Sequence, residues 1–428
     1  MKFNKIMFII VLVLIVVTTS LQSIKFIKKK HEPNIASQFK VVPSNLGIQT
    51  HIASAPVDVE AIKKNGFKIV RDDILWNRVE QKPNQYDFQG TGYDEYNERL
   101  INNGIRPYYI LSYSNPLYED HTSVITDTGR EAYTKFVEQA AIRYKNQNVI
   151  WEIWNEPNTE KFWYPAFTSV DKYLDIVESG SRVIKENDPS GIIVAPALSD
   201  LNPSSLLWIE ETFKKGLLNM VDVISVHPYR SSSPETVISD YAKLRKLIAK
   251  YSNKNILIFS GEWGYSTGPA SYGIKLDQRE QAQYIVRMYL INMYQNIPVS
   301  IWYDWKNDGE DLNNGEHNFG IREYDSSISK EASIAASTLI KTLTGYHFSR
   351  RINLDHIDDF LFEFTNEKNE MIYVYWTKGD EHSFSWPNKK KVKGQEISML
   401  GENIKEVDTM NSYLWLSNSP AYLKVINE

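Results

Sequence analysis

Two glutamates in this sequence close apolar stretches that otherwise read as buried strands. Glu156 lies near the end of the run VIWEIWNEPN (149–158), between an asparagine and a proline, and Glu262 lies near the end of NILIFSGEWG (255–264). Two carboxyl groups that face each other across a cleft can divide the work of a general acid/base and a nucleophile. Whether these two glutamates meet depends on the elements that carry them.

Short apolar runs alternate with amphipathic stretches from residue 44 onwards, and the runs are continuous, which is typical of a parallel sheet covered by helices. Strands are predicted over 44–49, 67–73, 105–112, 149–156, 191–198, 221–229, 255–264 and 299–305. Helices are predicted over 57–66, 93–104, 129–145, 171–187, 236–251, 277–296 and 328–343, with one more near 205–215. Eight strand–helix units predict a closed (β/α)₈ TIM barrel. An open doubly wound sheet is the alternative, but no Gly-x-Gly-x-x-Gly follows a strand to favour its nucleotide-binding form.

The pattern changes at both ends of the chain, which predicts three domains with the barrel over 32–344. Alternating apolar and polar residues predict a small antiparallel, β-sandwich-like domain over 345–428. Residues 1–31 carry an apolar run between lysines and predict a membrane anchor or a secretion signal. The lysines after this run outnumber those before it, which opposes export by the positive-inside rule.

Composition narrows the class of function. Aromatic residues make up 13% of the chain, with 11 Trp and 26 Tyr, and such flat faces suit stacking against sugar rings. A net charge of −5 does not favour nucleic acid as a partner. The chain has no cysteine, which excludes disulfides and thiol catalysis, and its 8 histidines show no metal-binding spacing. We therefore expect neither a metal nor another cofactor.

In a (β/α)₈ barrel the chemistry lies where the strands end at the C-terminal face. The predicted strand ends gather polar and aromatic residues at that face: Arg71, Asn155, Glu156, His227, Tyr229, Glu262, Trp302, Asp304 and Trp305. Glu156 and Glu262 then lie on opposite sides of one barrel mouth, as glycoside hydrolysis requires. One carboxyl protonates the departing oxygen while the other attacks the sugar or activates water. A separation of roughly 5 to 5.5 Å gives retention of configuration, and a wider one gives inversion.

Trp-Asn-Glu-Pro at the end of the fourth strand, with a glutamate closing the seventh, resembles clan A of the glycoside hydrolases, over about residues 44–343. Within this clan of retaining enzymes the chain looks most like family 39, with family 5 as the nearest competitor. The resemblance implies that Glu156 is the acid/base and Glu262 the nucleophile. It implies supporting roles for Arg71, Asn155, His227 and Tyr229, and a sugar-binding floor at Trp302. Arg71 could instead be the partner of Glu152, deeper in the barrel.

Further sugar contacts are expected from residues near the mouth: His51, Tyr113, Trp163, Asp304 and Trp305, with Trp76, Asp308 and His317 as additional candidates. We expect a monomeric bacterial hydrolase, exported and either anchored in the membrane or secreted, that cleaves a polysaccharide internally. An exopolysaccharide of the same cell is the expected substrate. The alternatives are a plant-polymer xylosidase, xylanase or mannanase, and a non-catalytic polysaccharide-binding component of an export machine.

Overall fold

A computed structural model describes residues 34–165, 170–269, 274–387, 391–411 and 413–426. The chain divides into two units after Gln38, and the short helix α1 (Ile35–Gln38) belongs to the first. The second unit, Phe39–Glu428, holds the barrel and the C-terminal sheets. The predicted anchor or signal lies outside the described residues. Within the described ranges, no helix is both long and apolar enough to cross a membrane.

Eight parallel strands close into a barrel, which confirms the predicted fold. They are β1 (Leu46–Gln49), β2 (Ile69–Leu75), β5 (Arg106–Ser112), β6 (Ile150–Ile153), β7 (Ile192–Leu198), β8 (Val223–Val226), β9 (Leu257–Trp263) and β10 (Ser300–Trp302), with a hairpin of β3 (Glu80–Lys82) and β4 (Gln85–Tyr86) after β2. Strand β10 closes the barrel by pairing with β1 through Gly47 and Ile301. A Cβ at Gly47 would lie 2.9 Å from the backbone oxygen of Ile69, so only glycine fits this close approach.

Helices cover the outside of the barrel, and local signals set their ends. They are α2 (Val59–Asn65), α3 (Trp76–Val79), α4 (Tyr93–Asn102), α5 (Asp127–Arg143), α6 (Val170–Asn187), α7 (Pro203–Lys214), α8 (Leu217–Met220), α9 (Val237–Tyr251), α10 (Gln278–Tyr294) and α11 (Glu331–Leu343). Helix α2 begins where the Asp58 side chain accepts a hydrogen bond from the amide of Ala61, and it ends at Gly66 with φ 113°. Helix α10 begins with a capping box of Asp277 and Glu280.

The C-terminal region forms antiparallel sheets, as the alternating pattern predicts. Its strands are β11 (His347–Ile352), β12 (Asp359–Thr365), β13 (Met371–Thr377), β14 (His382–Phe384), β15 (Lys393–Ile397), β16 (Asn403–Asp408), β17 (Leu414–Leu416) and β18 (Ala421–Val425). Six of them form one sheet in the order β11-β12-β13-β18-β15-β16, while β14 pairs with β17. Leu414 and Leu416 are buried and Trp415 between them is 55% exposed, so β17 is a half-buried strand.

One face of the larger sheet packs on the barrel. Phe362 of β12 belongs to the same core as the barrel residues, and its ring centroid lies 5.2 Å from that of Tyr294 in α10. A buried ion pair lies at the same junction, where Arg287 Nε is 2.7 Å from Glu235 Oε1. Trp376 of β13 donates its indole N–H to the same Glu235 oxygen at 2.8 Å. These contacts tie the sheet to the barrel, which is the packing that a structural brace requires.

Candidate active site

The backbone turns sharply after β6, and this turn directs Glu156. The sequence predicts a strand to residue 156, but the strand ends at Ile153. Trp154 and Glu156 then adopt positive φ values of 72° and 46°, which are rare for residues with a side chain. The amide of Glu156 donates a hydrogen bond to the carbonyl of Ala197 in β7 at 3.1 Å, and this bond holds the turn. The strained turn, together with the proline that follows, fixes the direction of the Glu156 side chain.

The two glutamates meet at the mouth of the barrel. Each has a side chain that is 13% exposed. One carboxylate oxygen of Glu156, one of Glu262 and a ring nitrogen of His227 all lie within 4.8 Å of one another. His227 Nδ1 is 2.9 Å from Glu156 Oε1, and Tyr229 donates its hydroxyl to Glu262 Oε1 at 2.8 Å. The carboxyl groups therefore face the same small space from opposite strands of the barrel.

Arg71 is fully buried and connects the site to the barrel interior. Its guanidinium donates hydrogen bonds to Glu152 Oε2 at 2.8 Å, Gln49 Oε1 at 2.9 Å, Glu262 Oε2 at 2.7 Å and Asn155 Oδ1 at 2.9 Å. The sequence left two alternatives for Arg71, as partner of Glu152 or as support of Glu262. In the structure Arg71 contacts both carboxylates at once. Burial alone would lower the pKa of Arg71, but the two carboxylates raise it well above its usual value. Arg71 is thus a permanent cation beneath the cleft.

The arginine also determines the tautomer of His227. Arg71 Nη2 lies 3.2 Å from His227 Nε2, and because a guanidinium can only donate, that ring nitrogen must accept. We therefore assign the ring proton to Nδ1, which donates to Glu156. Burial first, and then the charge of Arg71, lower the pKa of His227 well below its usual value, which keeps the ring neutral. His227 consequently holds Glu156 in place without adding a charge.

Neighbouring groups act differently on the pKa values of the two carboxyl groups. Burial, followed by repulsion from Glu262, raises the pKa of Glu156 well above its ordinary value. Burial also raises the pKa of Glu262, but Arg71 and the hydroxyl of Tyr229 oppose this shift by stabilising the charged form. Glu156 is therefore the group that keeps its proton, and Glu262 is the better stabilised anion. Two carboxyl groups that differ in this way in their protonation can supply an acid and a nucleophile at the same pH.

The cleft above these groups has a volume of about 230 Å³. It is lined by Gln49, His51, Arg71, Asp73, Ile110, Tyr113, Asn155, Glu156, Lys161, Phe162, Tyr229, Glu262, Tyr303, Glu316 and Phe319. The expected residues His51 and Tyr113 are therefore in the cleft. Tyr113 stacks on Phe162, with ring centroids 5.4 Å apart and planes within 10°. Tyr303 and Phe319 form an edge-to-face pair, with centroids 5.5 Å apart.

Two of the predicted sugar-binding residues, Trp302 and Trp163, do not line the cleft. Trp302 is fully buried and donates its indole N–H to the carbonyl of Phe319 at 3.3 Å, so it lies behind the cleft. The next residue, Tyr303, lines the cleft instead, because a shift of one position along a strand reverses the face of the side chain. Trp163 is also fully buried, with its ring centroid 5.0 Å from that of Trp154, so it packs a loop instead of lining the cleft.

The remaining expected residues lie beside the cleft or away from it. Asp304, Trp305 and Asp308 line an adjoining pocket that shares Gln49 and His51 with the cleft. Trp76 is fully buried.

Several cleft residues that lie in loops were not predicted from the sequence, namely Lys161, Phe162, Tyr303, Glu316 and Phe319. Phe162 and Tyr303 each stand next to a tryptophan that was chosen, so the signal was present but assigned one residue away. Lys161, Glu316 and Phe319 carry no local pattern that distinguishes them from other loop residues.

Comparison with known proteins decides the family. A family model described as cellulase (glycosyl hydrolase family 5) matches residues 36–309, which is more than half of the 428-residue chain. The chain belongs to glycosyl hydrolase family 5. This family is part of clan A, so the predicted clan A glycoside hydrolase is confirmed.

Individual relatives of this family 5 chain are distant. An endoglucanase of Clostridium saccharobutylicum is 28% identical over 180 residues, which is 41% of this chain and 33% of that protein. The match thus spans only about a third of this relative. A family 39 glycoside hydrolase from Bacteroides cellulosilyticus WH2 superposes with a TM-score of 0.75 at 22% identity, over 92% of this chain and 83% of that one. A monomeric β-xylosidase from Caulobacter crescentus CB15 gives a TM-score of 0.66 at 13% identity, over 89% and 95% of the two chains. At these identities the solved structures show the shared fold, including the likeness to family 39.

Proposed function

We propose that this glycoside hydrolase acts by double displacement, with Glu156 as the acid/base and Glu262 as the nucleophile. The observation that carries the proposal is the separation of the carboxyl groups, whose nearest oxygens lie within 4.8 Å of each other. That spacing supports direct attack on the sugar, because an inverting pair stands roughly 6.5 to 9.5 Å apart to admit a water molecule.

In the first step Glu262 attacks the anomeric carbon while Glu156 gives its proton to the departing glycosidic oxygen, so the C–O bond to the leaving sugar breaks as a glycosyl–enzyme ester forms. In the second step Glu156, now a carboxylate, removes a proton from water, and the resulting hydroxide displaces Glu262. The enzyme returns to its initial protonation state. The raised pKa of Glu156 supports its role as the acid. The ion pair of Glu262 with Arg71 supports its role as the nucleophile.

The neighbours of the glutamates have roles that follow from their contacts. Asn155 accepts a hydrogen bond from Arg71 through Oδ1, which leaves its amide N–H groups to donate to a substrate hydroxyl. We assign this contact to the sugar 2-hydroxyl, where it strengthens as positive charge develops at the anomeric carbon. His227 positions Glu156, and Tyr229 positions Glu262.

We propose a polysaccharide as the substrate, cleaved within the chain. Two aromatic pairs, Tyr113 with Phe162 and Tyr303 with Phe319, offer stacking faces for sugar units in the cleft. The relatives named an endoglucanase and a β-xylosidase support a glycan backbone as the substrate class. An exopolysaccharide of the producing cell is our first candidate, and a plant polymer is the second.

The location of the enzyme is also a proposal. The apolar run from Ile6 to Ile24, flanked by lysines, supports export from a bacterial cell with the segment retained as an anchor or removed as a signal. We propose that the exported enzyme acts as a monomer, because one barrel supplies both glutamates and the residues that position them.

The proposal is tested by measuring the release of reducing ends from a panel of polysaccharides that includes xylan, mannan, β-glucan and the polymer of the producing cell. Glu262→Gln should lose activity on every polymer that the parent cleaves, while the matched control Glu210→Gln, which changes an outer-helix carboxylate, should keep it. Residual activity of Glu156→Gln should rise when azide is added, because azide replaces water without needing a general base. Binding of one polymer without release by any form of the protein would instead support the non-catalytic binding component.

A further inference from the structure

One side of the catalytic cleft is formed by the long segment between β10 and α11, residues 303–330. Three residues of this segment line the cleft, namely Tyr303, Glu316 and Phe319, and together we call them the β10 wall. Connections between strands and helices in α/β units usually have about 2 to 6 residues, so a segment of this length is unusual. The position of the β10 wall therefore depends on the contacts that fix the course of the segment.

The contacts of Asn318 fix the position of Phe319, which is the next residue along the chain. The carbonyl of Asn318 accepts a hydrogen bond at 3.1 Å from the amide of Thr267, in the segment after β9. The side-chain amide of Asn318 donates to the carbonyl of Asp311 at 2.9 Å and to that of Asn314 at 2.7 Å. Asn318 is buried, so it forms the base on which the β10 wall stands.

A single buried ammonium group joins three parts of this region. Lys330 is the last residue of the segment and is 2% exposed. Its Nζ donates to Asn307 Oδ1 at 2.7 Å, to the carbonyl of Asn318 at 3.3 Å and to Thr267 Oγ1 at 3.4 Å. A lysine ammonium has three N–H donors, so each acceptor receives one of them. Lys330 thus connects the start of the segment, the base of the β10 wall and the segment after β9.

These hydrogen bonds come from a charged donor at mildly acidic pH. Burial lowers the pKa of Lys330 to about 8, and the acidic groups Glu323 and Asp304 oppose this shift. Lys330 is therefore protonated at about pH 6.5. Hydrogen bonds from a charged group are stronger than those between neutral groups, so loss of the ammonium group should loosen all three connections.

We propose that Lys330 is a positioning residue for substrate binding, whose ammonium group holds the β10 wall where a sugar unit contacts it. The inference rests on the proposed glycosidase function and deepens it, since it names a residue that sets substrate affinity without touching the substrate. When the ammonium group is absent, the wall occupies its binding position for only a fraction of the time, and the apparent affinity falls by that fraction.

Turnover of the bound substrate should change less than its affinity. Phe319 contacts Tyr229 edge to face, with ring centroids 6.0 Å apart, so the wall does touch a residue next to the nucleophile. Tyr229 nevertheless has its own hydrogen bond to Glu262 at 2.8 Å, which does not depend on the wall. A loosened wall should therefore raise KM and leave kcat nearly unchanged.

The test compares the full-length parent with Lys330→Met and Asn65→Ala at about pH 6.5. The substrate is whichever of xylan, mannan, β-glucan and the polymer of the producing cell the parent cleaves fastest. Methionine has a side chain of similar length that donates no hydrogen bond, so KM should rise at least about tenfold while kcat stays within about threefold. Asn65→Ala is the matched control, because the buried Asn65 donates to Ser333 of α11 at 2.8 Å instead of to the segment 303–330. Its KM should stay within about twofold of that of the parent.

Amide hydrogen exchange follows the position of the wall without any substrate. In Lys330→Met the amides of residues 303–320 should exchange at least about tenfold faster than in the parent, while those of the barrel strands should not change. If Lys330→Met does not fold, Asn307→Leu removes the 2.7 Å hydrogen bond from its other end and should produce the same changes in KM and in exchange.

Four results would overturn the proposal. They are unchanged exchange of residues 303–320, an unchanged KM, a fall in kcat alone, and a rise in KM of the same size in Asn65→Ala. The last of these would show that any disturbance of α11 moves the wall. The glycosidase function is tested separately: if the parent cleaves no polymer, the catalytic proposal fails, and faster exchange in Lys330→Met would still support Lys330 as the residue that holds the wall.

Discussion

Replacing Arg71 by methionine tests how the site keeps its charges in balance. The change removes a fully buried cation but preserves most of the apolar volume of the side chain. Two carboxylates lose their partner, because Arg71 contacts Glu152 at 2.6 Å and Glu262 at 2.7 Å. Breaking a buried ion pair by removing one partner costs about 3 to 5 kcal/mol. Since two carboxylates are left behind here, we expect the free energy of unfolding at pH 7 to fall by about 5 kcal/mol.

Arg71→Lys is the matched control because it keeps the charge. A lysine ammonium has three donors and no planar fork, so it cannot reach all five acceptors that the guanidinium now serves. We expect a loss of about 2 to 3 kcal/mol, from acceptors that are left without a donor. Urea unfolding at several pH values measures both variants.

The stability loss of the methionine variant should depend on pH, and the pKa of Glu262 determines the direction of that dependence. In the methionine variant the pKa of Glu262 rises further, because the opposing charge is gone while burial remains. A folded-state pKa above the unfolded value of about 4.3 makes ionisation oppose folding. The deficit against the parent should therefore be small below about pH 4 and should grow as the pH rises. A methionine variant within about 1 kcal/mol of the parent at pH 7 would refute the view that Arg71 compensates the buried carboxylates.

Three further predictions follow from individual contacts. Glu156→Gln should stabilise the fold by about 1 kcal/mol or more at pH 8 and by nothing below about pH 4, because its raised pKa makes ionisation oppose folding; urea titrations at both pH values measure this, and a gain at low pH would contradict it. Tyr229→Phe removes a hydrogen bond to ionised Glu262, so the acidic limb of kcat/KM should move to higher pH and the plateau should fall about tenfold; an unmoved limb in the pH–rate profile would contradict it. Trp376→Phe removes one hydrogen-bond donor from Glu235 and should lower the free energy of unfolding by about 1 kcal/mol, with barrel and sheet still unfolding in a single transition. Two separate transitions in calorimetry would contradict the bracing role.

The fold could be predicted because its signal is distributed along the whole chain. All eight barrel strands overlap the strands that the sequence predicts, and the closed barrel follows from their number and alternation with helices. The same rule predicted the two glutamates that meet at the barrel mouth, since Glu156 and Glu262 follow the apolar parts of strands four and seven. Their neighbours Arg71 and Tyr229 were found by reading the other strand ends.

The parts of the site that the sequence did not give depend on single positions and on loops. The choice between Trp302 and Tyr303 depends on where β10 ends, and an error of one residue exchanges the core face and the cleft face. Trp163 could not be separated from its neighbour Phe162, because loop packing alone decides which ring is buried. The double role of Arg71 was also hidden, since the depth of Glu152 relative to Glu262 is a property of the closed barrel.

The central claim is that the enzyme acts by double displacement. The most direct test is to determine the anomeric configuration of the first product, using proton NMR to monitor the cleavage of an oligosaccharide by the parent enzyme. Two carboxyl groups with oxygens within 4.8 Å predict that the product initially has the same configuration as the bond that was cleaved, before mutarotation. A first product of inverted configuration would contradict the account, because it would mean that Glu262 activates water and forms no bond to the sugar.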